Sequence, residues 1–293
     1  MWPARPLCGG SRFSPVGADG LRPSLEVGVS RAERLSQLVE QIVGDGSMTV
    51  EQVMEVYQVS AATARRDLDT LAEQQLVTRT RGGAQANPIS GDVPMRYRAA
   101  RRGREKLAIA RAVVKRLGDH EVVAFNGGTT TTTVAYELGV RLAEEHPHEE
   151  GVMTVVTNAV NIANDLLVRP QVRVMLTGGV ARSRSYELVG PLAEALLPRI
   201  SIDTLVLGVT AVTPEGGLYT HHDGEASVNA ALARAARRVI VVADSTKFQA
   251  TAFARICGLQ DVDVLVSDAP PPASHHEAVA TSGVEVVTVP TGG

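Results

Sequence analysis

The chain has 293 residues, 44% of them hydrophobic and 21% charged, with 29 Lys+Arg against 32 Asp+Glu for a formal net charge of −3. That composition can fill a sizeable core and excludes wholesale disorder, and no apolar run approaches the roughly 18 residues of a membrane helix. Any contact with nucleic acid must therefore come from local basic clusters rather than from a basic protein as a whole.

The two cysteines, Cys8 and Cys257, show no CxxC or Cys/His metal spacing. Neither a disulfide framework nor a metal is expected, no cofactor is implied, and the chain is read as cytoplasmic. Residues 1–29 carry Arg but lack the apolar stretch of a secretory signal. Their Pro and Gly content predicts a disordered extension, or a start codon assigned upstream of the native one.

The first periodic segment begins at Ser30, where Ser30-Arg31-Ala32-Glu33 fits a capping box. Leu35, Leu38, Val39, Ile42 and Val43 then mark one buried helix face, which Gly44 and Gly46 terminate. Thr49-Val50-Glu51-Gln52 opens a second helix with Val50, Val53, Met54 and Tyr57 inward. After a turn at Gln58-Val59, Ser60 caps a third, with Ala61, Ala64, Leu68 and Leu71 inward. Leu76 to Ala84 alternates and closes on Gly-Gly, which predicts a hairpin. Over 30–86 this is a winged helix-turn-helix.

Residues 87–100 read as a linker, because Asn87 to Pro94 is rich in Pro, Gly, Ser and Asp. From Arg96 to Lys106 six basic residues (Arg96, Arg98, Arg101, Arg102, Arg104, Lys106) stand against Glu105. They either add to a DNA-facing charge or form a solvated helix face, and both readings stay open. A helix continues through Leu107, Ala110, Val114 and Leu117.

From 101 to 293 the pattern changes. β-Branched runs at Val122–Phe125, Met153–Val156, Val172–Leu176, Leu205–Val209, Val239–Ala243, Val262–Val266 and Val284–Val287 alternate with helical patterns near Thr131–Glu145, Ala159–Val168, Leu188–Leu197 and Glu225–Ala236. The fold class is α/β, a mostly parallel sheet covered on both faces.

On the third helix Ala62, Thr63, Arg65, Arg66 and Asp69 point outward. As a recognition helix, Arg65 and Arg66 would reach guanine edges or phosphates and Thr63 a phosphate or a thymine methyl. Arg79 and Arg81, with Gly82 and Gly83 permitting close approach, would hold the flanking backbone. The competing reading is an ordinary solvated helix with an Arg65–Asp69 ion pair. The joint spacing of Ser60, Thr63, Arg65, Arg66 and the Arg-Gly-Gly hairpin favours recognition.

The stretch VSAATARRDLDTLAEQQLVTRTRGGA resembles the DeoR-type winged helix-turn-helix, in which V-S-x-x-T-x-R-R-D-L precedes an R-x-x-G-G-A wing. The chain after residue 100 resembles the effector-sensing domain of the same regulators. The resemblance implies a bacterial transcriptional repressor that senses phosphorylated sugars through a domain like ribose-5-phosphate isomerase and the CoA-transferase fold. It implies operator DNA and a small anionic effector as partners, and a homo-oligomer, dimer or tetramer.

The residues of the second half point the same way. After Val122–Phe125 comes Asn126-Gly127-Gly128-Thr129-Thr130-Thr131 and then a helix. Free N–H groups and hydroxyls converge there, where the helix dipole favours an anion. A plain tight turn capped by Thr is the alternative. Thr157-Asn158, Thr177-Gly178-Gly179 and Asp244-Ser245-Thr246-Lys247 also follow strand ends, where parallel sheets bind ligands. Glu225 is either a ligand contact or a favourable charge at a helix start.

The resemblance matches Gly128-Thr129-Thr130, Thr157-Asn158, Gly178-Gly179 and Asp244-Ser245-Thr246-Lys247 to the family's effector loops, and Glu105-Lys106 to an E-K pair before the I-A helix. Two positions depart from it. Relatives usually carry Asp at Asn126 and Lys at Asn229, so an altered effector preference is expected. The histidines (His146, His148, His221-His222, His275-His276) read as surface-loop residues. No Ser-His-Asp arrangement is apparent, and a catalytic role is not expected. The other readings are a phosphosugar isomerase using Asp203 or Asp244, Glu225 and Lys247, and a winged helix used for protein contact.

Overall fold

The computed structural model describes residues 31–73, 76–86, 95 and 102–290. The expected extension at 1–29, the Ser30 cap and most of the linker lie outside the described residues.

The N-terminal unit runs α1 (Arg31–Asp45), β1 (Ser47–Thr49), α2 (Val50–Tyr57), α3 (Ala61–Glu73), β2 (Val77–Thr80) and β3 (Gly83–Ala86). Thr49 caps α2 in a full capping box with Gln52, and Gln58 ends that helix in the left-handed region. Both features satisfy terminal backbone groups and turn the chain sharply into α3. Leu38, Val39, Ile42, Val53, Ala64, Leu68 and Leu71 form the shared core. Burying so many aliphatic side chains at about 1.5–3 kcal/mol each holds three short helices together that would not persist alone. The hairpin is joined by β1, giving the order β1-β3-β2. A three-residue strand carries too little periodicity to be read from sequence.

The larger unit begins with α4 (Gly103–Val114) and continues β4 (Val122–Phe125), α5 (Thr129–Glu145), β5 (Met153–Thr157), α6 (Val160–Leu167), β6 (Val172–Leu176), the short hairpin β7 (Val180–Ala181) and β8 (Leu188–Val189), and α7 (Pro191–Ala195). Then follow β9 (Ile202–Gly208), β10 (Ala211–Val212), β11 (Gly217–Thr220), α8 (Asp223–Ala235), β12 (Ala236–Val242), β13 (Ala254–Gly258), β14 (Val264–Ser267), α9 (His276–Ser282) and β15 (Glu285–Thr288). All seven runs expected as strands enter one sheet of order β15-β14-β12-β9-β4-β5-β6, and every pairing in it is parallel. The helix expected at Leu188–Leu197 is instead β8 followed by α7, because Gly190 (φ 96) and Pro191 interrupt it. A small antiparallel sheet of order β10-β11-β13 adds to one face.

Two aliphatic cores flank the sheet. One packs Ile109, Val113, Val134, Leu138 and Leu142 against Val123, Phe125 and Val206. The other packs Val228, Leu232, Leu218 and Ile256 against Leu205, Leu207 and Val241. With both faces covered the strands read as continuous apolar runs. The strand order reverses between β4 and β9, so the crevice at their C-terminal ends is the place where such sheets bind ligands.

Candidate functional site

The exposed face of α3 carries Ala62, Arg65, Arg66 and Asp69. The Ser60 hydroxyl accepts from the Thr63 N–H at 3.2 Å and lies 3.0 Å from the Thr63 hydroxyl, so these two residues cap the helix. Asp67 is buried, bridging Arg34 at 2.8 Å and Arg31 at 3.6 Å, which fixes α3 against α1. The Arg65–Asp69 pair considered from sequence does not form. Asp69 instead takes Arg79 of the hairpin at 2.7 Å, and Arg79 also donates to the Gly83 carbonyl. Arg79 therefore ties wing to helix, whereas Arg65, Arg66 and Arg81 are exposed. Gly82 is open, but Gly83 is not there for DNA approach. A Cβ on it would lie 2.1 Å from the Met48 carbonyl oxygen, so the glycine admits β1.

The basic run after the linker splits. Lys106 is only 4% exposed, and Arg102 is half-buried in contact with Asp268 at 2.7 Å. Those two add no DNA-facing charge. Arg96, Arg98 and Arg101 lie outside the described residues.

The β4–β9 crevice opens as a cleft lined by Asn126, Gly127, Gly128, Thr129, Thr130, Arg182, Arg184, Glu187, Thr220, His221, His222, Glu225, Asn229 and Lys247, among others. At its floor Gly128 (φ 147) precedes α5, and no side chain caps that helix. The hydroxyls of Thr131 and Thr132 donate to the Gly128 carbonyl at 2.9 and 2.7 Å, so neither caps a first-turn N–H group. The uncapped N-terminus of this 17-residue helix, with Gly128, Thr129 and Thr130 lining the cleft, has the backbone donors and dipole that suit an anion.

The two amides that depart from the family pattern differ in kind. Asn126 donates through Nδ2 to the Gly208 carbonyl at 2.9 Å and accepts at Oδ1 from the Gly208 N–H at 2.7 Å. Its polar atoms strap β4 to β9. Asn229 on α8 is 1% exposed, and its Oδ1 has no hydrogen-bond partner.

Other expected residues support the cleft from outside its wall. Thr157 donates to the Phe125 carbonyl at 2.8 Å and accepts from the Ala159 N–H at 3.0 Å. Asn158 holds Glu187 through Nδ2 at 3.0 Å. Gly178 (φ 81) and Gly179 (φ 111) launch the β7–β8 hairpin, and a Cβ on Gly179 would lie 2.7 Å from the Val189 carbonyl oxygen. Asp244 caps the short helical turn Ser245–Phe248 through the Thr246 N–H at 3.1 Å. Burial opposes ionisation of Asp244, but Lys247, the two Thr246 hydrogen bonds and Arg102 outweigh it and hold the carboxyl below its ordinary value.

Sequence reasoning missed the hairpin wall of Arg182, Arg184, Ser185 and Glu187. Arg182 pairs with Glu225, which also accepts from the Thr220 hydroxyl at 3.0 Å. The signal available was the polar, Arg-rich run ARSRSYE, one residue after Gly178-Gly179. The histidine readings need correction. His221 and His222 both line the cleft, because they sit in the irregular turn between β11 and α8. His275 is buried, edge-on to Phe248 at 5.3 Å between ring centroids and 3.0 Å from the Val212 carbonyl. Asp119, Glu145 and His146 come together, but Arg141 already pairs with both carboxylates, at 3.3 and 3.4 Å.

Comparison with known proteins matches residues 34–89 to the DeoR-like helix-turn-helix domain and residues 101–269 to the DeoR C terminal sensor domain. The glycerol-3-phosphate regulon repressor of Escherichia coli K12 is 31% identical over 84% of this chain and 94% of its own. The HTH-type transcriptional regulator GlpR of Haloferax volcanii is 32% identical over 87% of this chain and 97% of its own. Among solved structures, ribose 5-phosphate isomerase A from Methanocaldococcus jannaschii overlaps 49% of this chain and 53% of its own at 17% identity and a TM-score of 0.37, a partial likeness.

Proposed function

Because the chain belongs to the DeoR family of DNA-binding transcriptional regulators, we propose that it represses carbohydrate-metabolism genes and that a phosphorylated sugar in the β4–β9 cleft sets its grip on operator DNA. Arg65, Arg66, Arg81 and Gly82 would meet the duplex, with Ser60, Thr63 and Arg79 shaping that surface. The phosphate would sit on the N–H groups of Gly128, Thr129 and Thr130 with Lys247 beside it. Asn229 would read the body of the ligand.

Asn229 carries the reading. A buried amide oxygen without a partner costs roughly 1–3 kcal/mol, and here it belongs to a residue lining a polar cleft that also receives an uncapped helix N-terminus. A ligand with an anionic head and a hydroxyl or amine donor would satisfy both. Coupling between ligand and DNA of about 1–3 kcal/mol would suffice for regulation. Two half-sites roughly 34 Å apart call for a dimer or tetramer, and the reading puts the protein in the cytoplasm. No helix among the described residues is long and apolar enough to cross a membrane.

Several groups an isomerase would need are committed elsewhere. Asp203 accepts from the Val122 N–H at 2.9 Å and pairs with Arg237. Glu225 is held by Arg182, and Asp244 caps its own loop. This supports a binding role over turnover.

The test is a thermal-shift screen of phosphorylated sugars and glycerol 3-phosphate, followed by operator competition with any hit. A ligand that binds the folded state raises the melting temperature. A hit that melts higher yet leaves DNA affinity unchanged would sink the regulatory reading, and turnover of ribose 5-phosphate would favour the enzyme.

A further inference from the structure

One ion pair joins the hairpin wall of the cleft to α8. The loop between β7 and β8 packs directly on the turn that opens α5, since a Cβ on Gly127 would lie 2.3 Å from Glu187 Cγ. From that loop Arg182 donates to Oε1 of Glu225, in the first turn of α8. The other carboxylate oxygen, Oε2, accepts from the Thr220 hydroxyl at 3.0 Å. One turn further along α8, Asn229 carries a buried Oδ1 without a partner among the described residues. All four side chains line the cleft. The α8 side therefore supplies acceptors, whereas the uncapped N-terminus of α5, which opens into the same cleft, supplies donors.

The two members of the pair are unequally placed. The Glu225 side chain is 8% exposed and that of Arg182 is 23%. Taking Arg182 away without a replacement strands a carboxylate out of reach of water, which is the costly way to break an ion pair. The guanidinium, nearer to solvent, can turn to an anion in the cleft and match its oxygens in pairs. This asymmetry sets a condition on the ligand. A bare anion that recruits Arg182 leaves Glu225 uncompensated. A ligand with hydroxyls beside its phosphate brings the donors that Glu225 and Asn229 then need.

We propose that the Arg182–Glu225 pair is a selectivity lock that exchanges partners: Arg182 passes to the phosphate while ligand hydroxyls take its place on Glu225 and meet the Asn229 oxygen. The lock rests on reading the cleft as an anion site, and it narrows the ligand from any phosphate monoester to a phosphorylated polyol. A monoester without hydroxyls breaks the pair at a loss and is refused.

The experiment compares methyl phosphate, glycerol 3-phosphate and ribose 5-phosphate by calorimetric titration of the full-length protein at millimolar concentration. At least one of the two polyol phosphates should bind the parent roughly tenfold tighter than methyl phosphate, the low end of measured couplings between close charge pairs. Glu225→Gln can keep the Thr220 hydrogen bond while releasing Arg182. Methyl phosphate should then bind about tenfold tighter than it does to the parent, and the polyol phosphates should gain less. The gain should be lost again in Arg182→Met/Glu225→Gln, which leaves neither charge of the pair behind and so avoids the risk that Arg182→Met alone melts low. An equal gain for all three ligands would overturn the lock, because it would report a charge removed near an anion and nothing about hydroxyls. A gain that survives in the double variant would overturn it as well, since Arg182 would not be the group released. A polyol phosphate that binds the parent while Glu225→Gln leaves the methyl phosphate affinity unchanged would reduce the pair to a brace between hairpin and helix, with the anion reading intact. Silence from all three ligands with both the parent and Glu225→Gln would sink the anion reading and the lock together.

Discussion

The carboxamide of Asn126 grips both backbone polar groups of Gly208, donating to its carbonyl at 2.9 Å and accepting from its N–H at 2.7 Å across the point where the strand order reverses. An aspartate has no donor for that carbonyl. In Asn126→Asp a carboxylate oxygen would face the Gly208 oxygen inside a buried site, at a cost of about 1–3 kcal/mol. Protonation restores the donor, so the introduced group's folded pKa is raised and the deficit shrinks as pH falls toward the carboxylate range. Urea unfolding of parent and variant at pH 7 and pH 4.5 tests this. A variant as stable as the parent at pH 7 would show that the strap is dispensable.

Asn229 should behave in the opposite way. Its buried amide has an oxygen without a partner, so Asn229→Leu removes a desolvation penalty and leaves the ligand-free protein as stable as the parent, or more stable by about 1 kcal/mol. The same change should abolish the thermal stabilisation given by any sugar phosphate that binds the parent. Loss of stability without loss of binding would make the residue a packing element. Of the two departures from the family pattern, Asn229 is the one whose amide oxygen at the cleft has no partner within the protein.

Arg65 and Arg66 are exposed on α3, whereas Arg79 is bound to Asp69 and the Gly83 carbonyl. Arg65→Ala or Arg66→Ala should leave the melting temperature within a degree or two and weaken operator binding. Each should also lower the slope of log K against log salt by about 1 for every phosphate left without its cation. Arg79→Ala should weaken binding through the wing's position and also lower stability, by roughly 0.5–1.5 kcal/mol. Fluorescence anisotropy on a labelled operator duplex across a salt series separates the two kinds of loss. Arginine variants that leave both affinity and salt slope unchanged would defeat the assignment of α3 as the reading helix.

The strands of the large sheet are legible in the sequence because each is buried on both faces and so reads as a β-branched run between Gly-rich or polar breaks. The crevice is legible too, since Asn126, Gly128, Thr129, Thr130, Glu225 and Lys247 all line it. What escapes is short or tertiary. The strands β7 and β8 have two residues each, too few for periodicity, yet the loop between them brings Arg182 and Glu187 over the cleft. Gly127 is needed because a Cβ there would lie 2.3 Å from Glu187 Cγ, a contact no local pattern encodes. Sequence reasoning misplaces Thr157, Asn158, Gly178 and Gly179 by one layer. Position at a strand end is visible in sequence, but whether a side chain faces the crevice or braces its wall depends on partners far along the chain. For the same reason Arg102 looks like one more charge in a basic run.

Asp244 offers a test that needs neither DNA nor ligand. Burial disfavours its charge, yet Lys247, the Thr246 hydrogen bonds and Arg102 hold its carboxyl below the ordinary value of 3.8. A folded-state pKa below the unfolded one means the unfolded chain takes up the proton first. The stabilisation is therefore complete above the unfolded value and is lost as pH falls through the folded one. In urea midpoints measured from pH 7 to pH 2.5, Asp244→Asn should lie below the parent at neutral pH and converge on it in acid below about pH 4. Lys247→Met should move the parent's acid limb to higher pH, because one cation that lowers the Asp244 pKa is gone while Arg102 remains. Parallel curves for parent and Asp244→Asn down to pH 2.5 would mean that the Asp244 charge is not what binds the Lys247 loop to the rest of the sheet.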